Sequence, residues 1–147
     1  MILSHFSKAE TITPYSVEQT LERLKPRGLW VSVDGPDDWP SWCESEDFDI
    51  GPIRHRVELD DGPLILSTAQ EVCDFHDEFG EAIGPRTVGL NWERVAGLWP
   101  GVIIAPYQWS VRRDGPLWYY AWDCASGCIW DASVITSVER VTEEVTS

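Results

Sequence analysis

Three histidines, four cysteines and two dense runs of carboxylates are the groups in this 147-residue chain whose chemistry goes beyond packing. His5 stands inside the apolar segment 2–6. A lone imidazole there either hydrogen-bonds to backbone in the interior or positions a ligand at a strand end, and both readings stand. Cys73 and His76 are three apart on a predicted helix, and Cys124 and Cys128 are four apart beside a predicted turn; together they would make a zinc donor set. The Cys-x-x-x-Cys spacing is looser than a zinc knuckle, and nothing in the sequence joins the two pairs. Buried thiols behaving as small hydrophobes, with no metal, are the expectation. A thiol nucleophile would need a base, for which Cys124 or Cys128 could use His5, His55 or His76. The chain has no Gly-x-Ser-x-Gly, no phosphate-binding P-loop, no dinucleotide glycine fingerprint and no calcium-loop register.

The formal charge is −14. Residues 34–49 hold seven acids and no base, and residues 71–81 hold five and no base. Such a surface repels a phosphate backbone, so no direct nucleic-acid contact is expected, whereas a basic protein partner is compatible. No run approaches the roughly 18 apolar residues of a membrane span. The opening residues lack the basic region and long apolar core of a secretion signal, so a cytoplasmic protein with free thiols is expected.

These groups need elements to hold them. Strands are predicted at 2–6, 29–33, 53–59 and 64–66, each bounded by Gly, Pro or Asp turn signals. Period two in 29–33 sends Leu29, Val31 and Val33 to one face, and Trp30 and Ser32 to the other. That second face meets a helix or solvent, or lines a cleft beside His5. The capping box Ser16-Val17-Glu18-Gln19 predicts a helix over 17–24, and Thr68-Ala69-Gln70-Glu71 predicts one ending at Gly80. Asn91 caps a third, over 92–99. Residues 34–49 read as a lid-like loop or a short helix over 41–47. Its Trp39 and Trp42 either pin it to the core or wall a ligand pocket. The stretch 101–131 holds four of the nine tryptophans and reads as three or four antiparallel strands, with turns at Asp114-Gly115 and Ser126-Gly127. A helical, frayed tail is expected over 132–147. The sum is a single α+β domain with a split, mainly antiparallel sheet and short flanking helices.

The order of these pieces carries a resemblance. Leu3-Ser4-His5-Phe6-Ser7, a helix, then Gly28-Leu29-Trp30-Val31-Ser32 is similar to the front half of diphtheria-toxin-like mono-ADP-ribosyltransferases. The strands Arg56 to Asp60 and Leu64 to Leu66, the helix and strand within 91–106, and a closing hairpin over 122–130 continue the likeness across residues 1–131. The resemblance implies an NAD-binding protein that modifies a macromolecular target, a protein. His5 would meet the adenosine ribose, Trp30 would stack on nicotinamide, and Ser32 would orient the dinucleotide, with Trp39 and Trp42 as walls. The family's glutamate has no counterpart in the strand 102–105; Gln108 and Asp123 are the nearest polar groups, and without a carboxylate there the transfer step loses its main electrostatic support. The composition also fits a different class. This is a small, acidic, non-enzymatic accessory protein of the phage or plasmid type, which binds and inhibits a host protein, its acidic face imitating nucleic acid.

Overall fold

The computed structural model describes residues 1–20, 24–82, 85 and 88–142. The elements run β1 (Leu3–Ser7), β2 (Leu29–Val33), α1 (Trp39–Glu46), β3 (Ile53–Leu59), β4 (Leu64–Leu66), α2 (Ala69–Phe79), β5 (Gly80–Ala82), β6 (Val88–Leu90), α3 (Trp92–Ala96), β7 (Gly101–Ile104), α4 (Trp109–Asp114), α5 (Leu117–Tyr120), β8 (Ser126–Ile129), a 3-10 turn (Ala132–Val134) and β9 (Ile135–Arg140). Seven strands form one sheet in the order β4-β7-β8-β2-β1-β3-β9, and β5 pairs with β6 in a separate ribbon. Every pairing is antiparallel except β4 with β7. That parallel pair is possible because α2, β5, β6 and α3 supply the long crossover it needs. The chain is α+β with a mainly antiparallel sheet, as its turn signals predict.

The sheet is divided by an opening in its ladder. β1 and β2 pair at Leu3 with Val33 and Ser4 with Ser32, then stop pairing although both strands continue. β1 instead keeps its full register with β3, from Leu3–Val57 to Ser7–Ile53. At the closed end, Ser4 Oγ donates to Asp34 Oδ1 (2.9 Å), Arg54 Nε donates to Ser4 Oγ (2.9 Å), and Arg54 Nη2 meets Asp34 Oδ2 at 2.5 Å. The charge-assisted network clasps β1, β3 and the end of β2 together.

The core is aromatic. Trp92, Trp118, Tyr119 and Trp122 are fully buried, and the Trp92 ring lies 6.5 Å from Trp118, 6.2 Å from Trp122 and 6.1 Å from Trp130. The Trp118 and Trp130 rings meet Trp92 edge-on and Trp122 stacks on it; such pairs add about 0.5–1.5 kcal/mol each beyond the area they bury. α2 forms as its sequence predicts. Glu71 N donates to Thr68 Oγ1 (3.1 Å), while Ser67 N and the Thr68 hydroxyl donate to Glu71 Oε1. Val72, Phe75 and Phe79 point inward, and Gly80 follows the last turn.

Four expectations are corrected. Residues 17–20 are not helical: Val17 N donates to Trp130 O (2.8 Å), Ser16 Oγ accepts from Ala132 N (3.0 Å), and the Gln19 amide grips Arg27 through both its oxygen and its nitrogen. Ser16 is thus spent on the C-terminal part of the chain and Gln19 on the turn before β2; positions 21–23 of the predicted helix lie outside the described residues. Within 101–131 only β7 and β8 are strands. The residues between them form α4 and α5, because a short all-apolar run such as 117–122 satisfies a buried helix as well as a strand. The 122–130 hairpin is therefore absent, and Ser126-Gly127 lies in β8 rather than in a turn. The tail forms the 3-10 turn and β9, in keeping with the strand preference of Val134, Ile135, Thr136 and Val138. Its end, 143–147, lies outside the described residues, as do Gly84 and Arg86 of the loop before β6.

Candidate functional site

Where β1 and β2 part, a cleft of about 590 Å3 opens, within the size range of small-ligand sites. His5, Trp30, Ser32, Trp39 and Trp42 all line it, and Asp123 joins them. Gln108 does not. Its side-chain amide donates to Ser67 O (3.1 Å) and Pro106 O (2.8 Å), and its backbone N–H donates to the Tyr119 hydroxyl (2.9 Å). Gln108 ties α4 to the core and takes no part in the cleft.

The elements hold each lining group for a local reason. The first turn of α1 is capped by Asp38, whose Oδ1 accepts from Ser41 N (3.0 Å), with Pro40 at the start of the helix. Trp39 N donates to Ser32 Oγ (2.8 Å) and its indole N–H donates to Ile50 O (3.0 Å). The Trp39 and Trp42 rings stack at 5.2 Å, and Phe48 closes on both edgewise. These tryptophans therefore pin the segment and wall the cleft at once. Trp30 crosses Trp122 edge-on at 4.8 Å. Trp122 forms part of the cleft lining although it is almost fully buried.

His5 Nδ1 lies 2.6 Å from Trp30 O. The ring bridges the two strands where their backbone pairing has ended; it bonds to backbone and borders the cleft. Asp123 is held near Arg112, at 3.8 Å. Arg112 in turn donates to the Tyr107 hydroxyl (2.8 Å), which donates to Trp122 O (2.5 Å). Lys25 Nζ sits 5.6 Å from the centre of the Trp30 ring, and Lys8 Nζ lies 3.7 Å from Asp49 Oδ2.

Sequence reasoning missed Phe6, Lys25 and Trp122 as cleft residues. Lys25 carries no sequence signal, since it becomes a neighbour of Trp30 only through the turn before β2. Phe48 and Asp49 could have been found from their place in the segment that holds Trp39 and Trp42.

The cysteine chemistry recedes. Cys124 borders the cleft, but burial pushes its thiol up to about 12, with Asp123 adding to the effect. Burial also pushes the Cys128 and Cys43 thiols up. A thiol so raised offers almost no thiolate at neutral pH. His76 Nδ1 accepts from Trp118 Nε1 (3.1 Å), because an indole nitrogen only donates, and His55 Nε2 bonds to Glu10 O (3.0 Å). Each of these contacts occupies one ring nitrogen of its histidine. Among the described residues no three His, Cys, Asp or Glu side chains gather as metal ligands.

The segment that carries Trp39 and Trp42 also exposes carboxylates. Glu44, Glu46 and Asp47 on and after α1 are exposed, as is Asp49 in the cleft lining. A second acidic surface runs along α2, where Glu71, Asp74, Asp77 and Glu78 are exposed; among the described residues only Glu78 of these makes an ion pair, with Arg94 at 2.6 Å. Among the described residues no helix is long and apolar enough to cross a membrane. Compared with protein-family models, curated proteins and solved structures, the chain matches none.

Proposed function

We propose that this chain is a binding protein that occludes a basic surface of another protein, docking through the aromatic cleft and the carboxylates of α1. The observation that carries the reading is the border of the cleft. Partly exposed Trp39 and Trp42 and exposed Phe48 pack ring against ring, and the same segment exposes Glu44, Glu46, Asp47 and Asp49, the last in the cleft lining. Exposed tryptophan at the middle of a polar rim is the usual anatomy of a binding hot spot. A surplus of negative charge around it steers a basic partner in and repels nucleic acid. The matching test is affinity capture from the native cell with the wild type and with the quadruple variant Glu44→Gln, Glu46→Gln, Asp47→Asn, Asp49→Asn. A basic protein retained by the wild type, binding it directly once purified and more weakly at high salt, and lost with the variant, supports the reading. Indistinguishable capture by the two proteins overturns it.

A second reading has its own support. His5, Trp30, Ser32, Trp39 and Trp42, the residues that the resemblance to ADP-ribosyltransferases marks for NAD, do converge on one cleft with Asp123. On that reading NAD enters between the tryptophans and a macromolecular target is modified, Asp123 standing nearest the role of the missing glutamate. Titration with NAD, followed by melting temperature and tryptophan fluorescence, separates the two. A rise in melting temperature by mass action that is lost in His5→Ala favours the nucleotide. No shift at millimolar NAD, with a cooperative melt, removes it.

A further inference from the structure

The polar groups that line the cleft are unequal in kind. Trp30 O is a carbonyl and can only accept, so His5 Nδ1, 2.6 Å away, carries the hydrogen. In the neutral ring this leaves Nε2 as a bare acceptor. Asp123 adds a carboxylate whose approach to Arg112, 3.8 Å, is an ion pair too long for a hydrogen bond, so its oxygens stay available to accept. Asp49 adds a second carboxylate. The donors on the cleft wall include the serine hydroxyls, the Trp122 indole N–H, which has no partner among the described residues, and the ammonium groups of Lys8 and Lys25, both on exposed residues. Most of the remaining wall is indole and phenyl, from Trp30, Trp39, Trp42, Phe6 and Phe48, with Val31 and Ile50 beside them.

Aromatic faces set beside two carboxylates and a bare imidazole nitrogen favour a cation rich in donors. Its own chain already supplies a sign of this, since Lys25 lies over the Trp30 ring at 5.6 Å. Of the two common protein cations, guanidinium suits the cleft better. It is flat enough to stack on an indole, is weakly hydrated, and presents a fork of N–H groups matched to a carboxylate such as that of Asp123. Ammonium is strongly hydrated and enters an aromatic site less readily. We infer that the cleft is a receptor for the guanidinium of an arginine side chain carried by the partner protein. The inference rests on the reading of a basic protein partner and names the group by which that partner is held.

The test uses the intact chain and N-acetyl-L-arginine amide, with N-acetyl-L-citrulline amide as the neutral isostere and N-acetyl-L-lysine amide as the other cation. Tryptophan fluorescence and indole N–H shifts in NMR spectra follow the titrations. Saturable binding of the arginine amide is expected, at least about tenfold tighter than citrulline or lysine because charge and fork geometry act together. Asp123→Asn, with an unchanged melting temperature, should weaken it, and Lys25→Ala should strengthen it by removing the resident cation. Absence of saturation with the arginine amide overturns the inference, as does equal binding of citrulline. Should the arginine amide fail while the quadruple rim variant still loses its partner, the docking reading stands without the arginine receptor. Should the amide bind while the variant loses no partner, the cleft takes guanidinium and the docking reading falls.

Discussion

One ring nitrogen sets the hydrogen-bonding character of the cleft. With His5 Nδ1 committed to the Trp30 carbonyl, the side chain spans a gap that backbone pairing has left open and turns its other nitrogen into an acceptor. The four thiols show the same dependence on surroundings. Cys43, Cys124 and Cys128 are buried, whereas Cys73 is partly exposed. Reaction needs both access and thiolate, so a thiol-specific colorimetric reagent at pH 8 should label Cys73 quickly and the other three only on unfolding. Reading one fast equivalent, and four in denaturant, checks this; Cys73→Ser should abolish the fast phase. Rapid labelling of Cys124 in the native protein would contradict the burial assigned to it.

At the scale of elements, β8 decides how closely the sheet can assemble. Gly127 pairs with Val31 on one side and Ile103 on the other. A Cβ at this position would lie 2.6 Å from Ile103 Cγ1 and 2.7 Å from the Val102 carbonyl oxygen. The isoleucine can turn, but a backbone carbonyl in a central ladder cannot. Gly127→Ala should therefore cost about 1–3 kcal/mol, the range of overpacked cores, read as a lower urea midpoint with an unchanged slope. α1 depends on a similar junction. Its first residue is tied to β2 through Trp39 N and Ser32 Oγ, so the wall of the cleft moves with the central sheet and not as a free lid.

For the molecule as a whole, the buried aromatic and thiol groups predict the direction of alkaline stability. Burial raises the Tyr107 and Tyr119 hydroxyls and the Cys124 and Cys128 thiols above their ordinary values. In the unfolded chain cysteine ionises near pH 8.5 and tyrosine near about 10; in the fold, Cys124 waits until about 12. The unfolded state therefore loses protons first, and stability must fall as pH rises above the unfolded thiol value. Below that value the contribution is fully present. Melting temperatures measured from pH 7 to 11 should be level at first and then decline from about pH 9 upward. Replacing Cys124 and Cys128 by alanine should flatten the first part of that decline. A melting temperature that rises across this window would contradict the assigned burial.

Much of the local architecture was settled by residue order alone. β3 and β4 fall where turn signals bound apolar runs, and α2 starts at its capping box and ends at Gly80, because these elements depend on contacts within a few residues. The period of two in β2 likewise put Trp30 and Ser32 on one face, the face that meets the cleft. Long-range competition decided the rest. The box at Ser16 was diverted to Ala132, a partner 116 positions away, and the aromatic run at 117–122 became α5 because buried helix and buried strand present the same composition. The tail became β9 only because β3 offered it an open edge. The cleft belongs to this second class. His5, Trp30 and Asp123 are far apart in the chain, and the opening between β1 and β2 that gathers them is a property of the ladder, which no stretch of sequence encodes by itself.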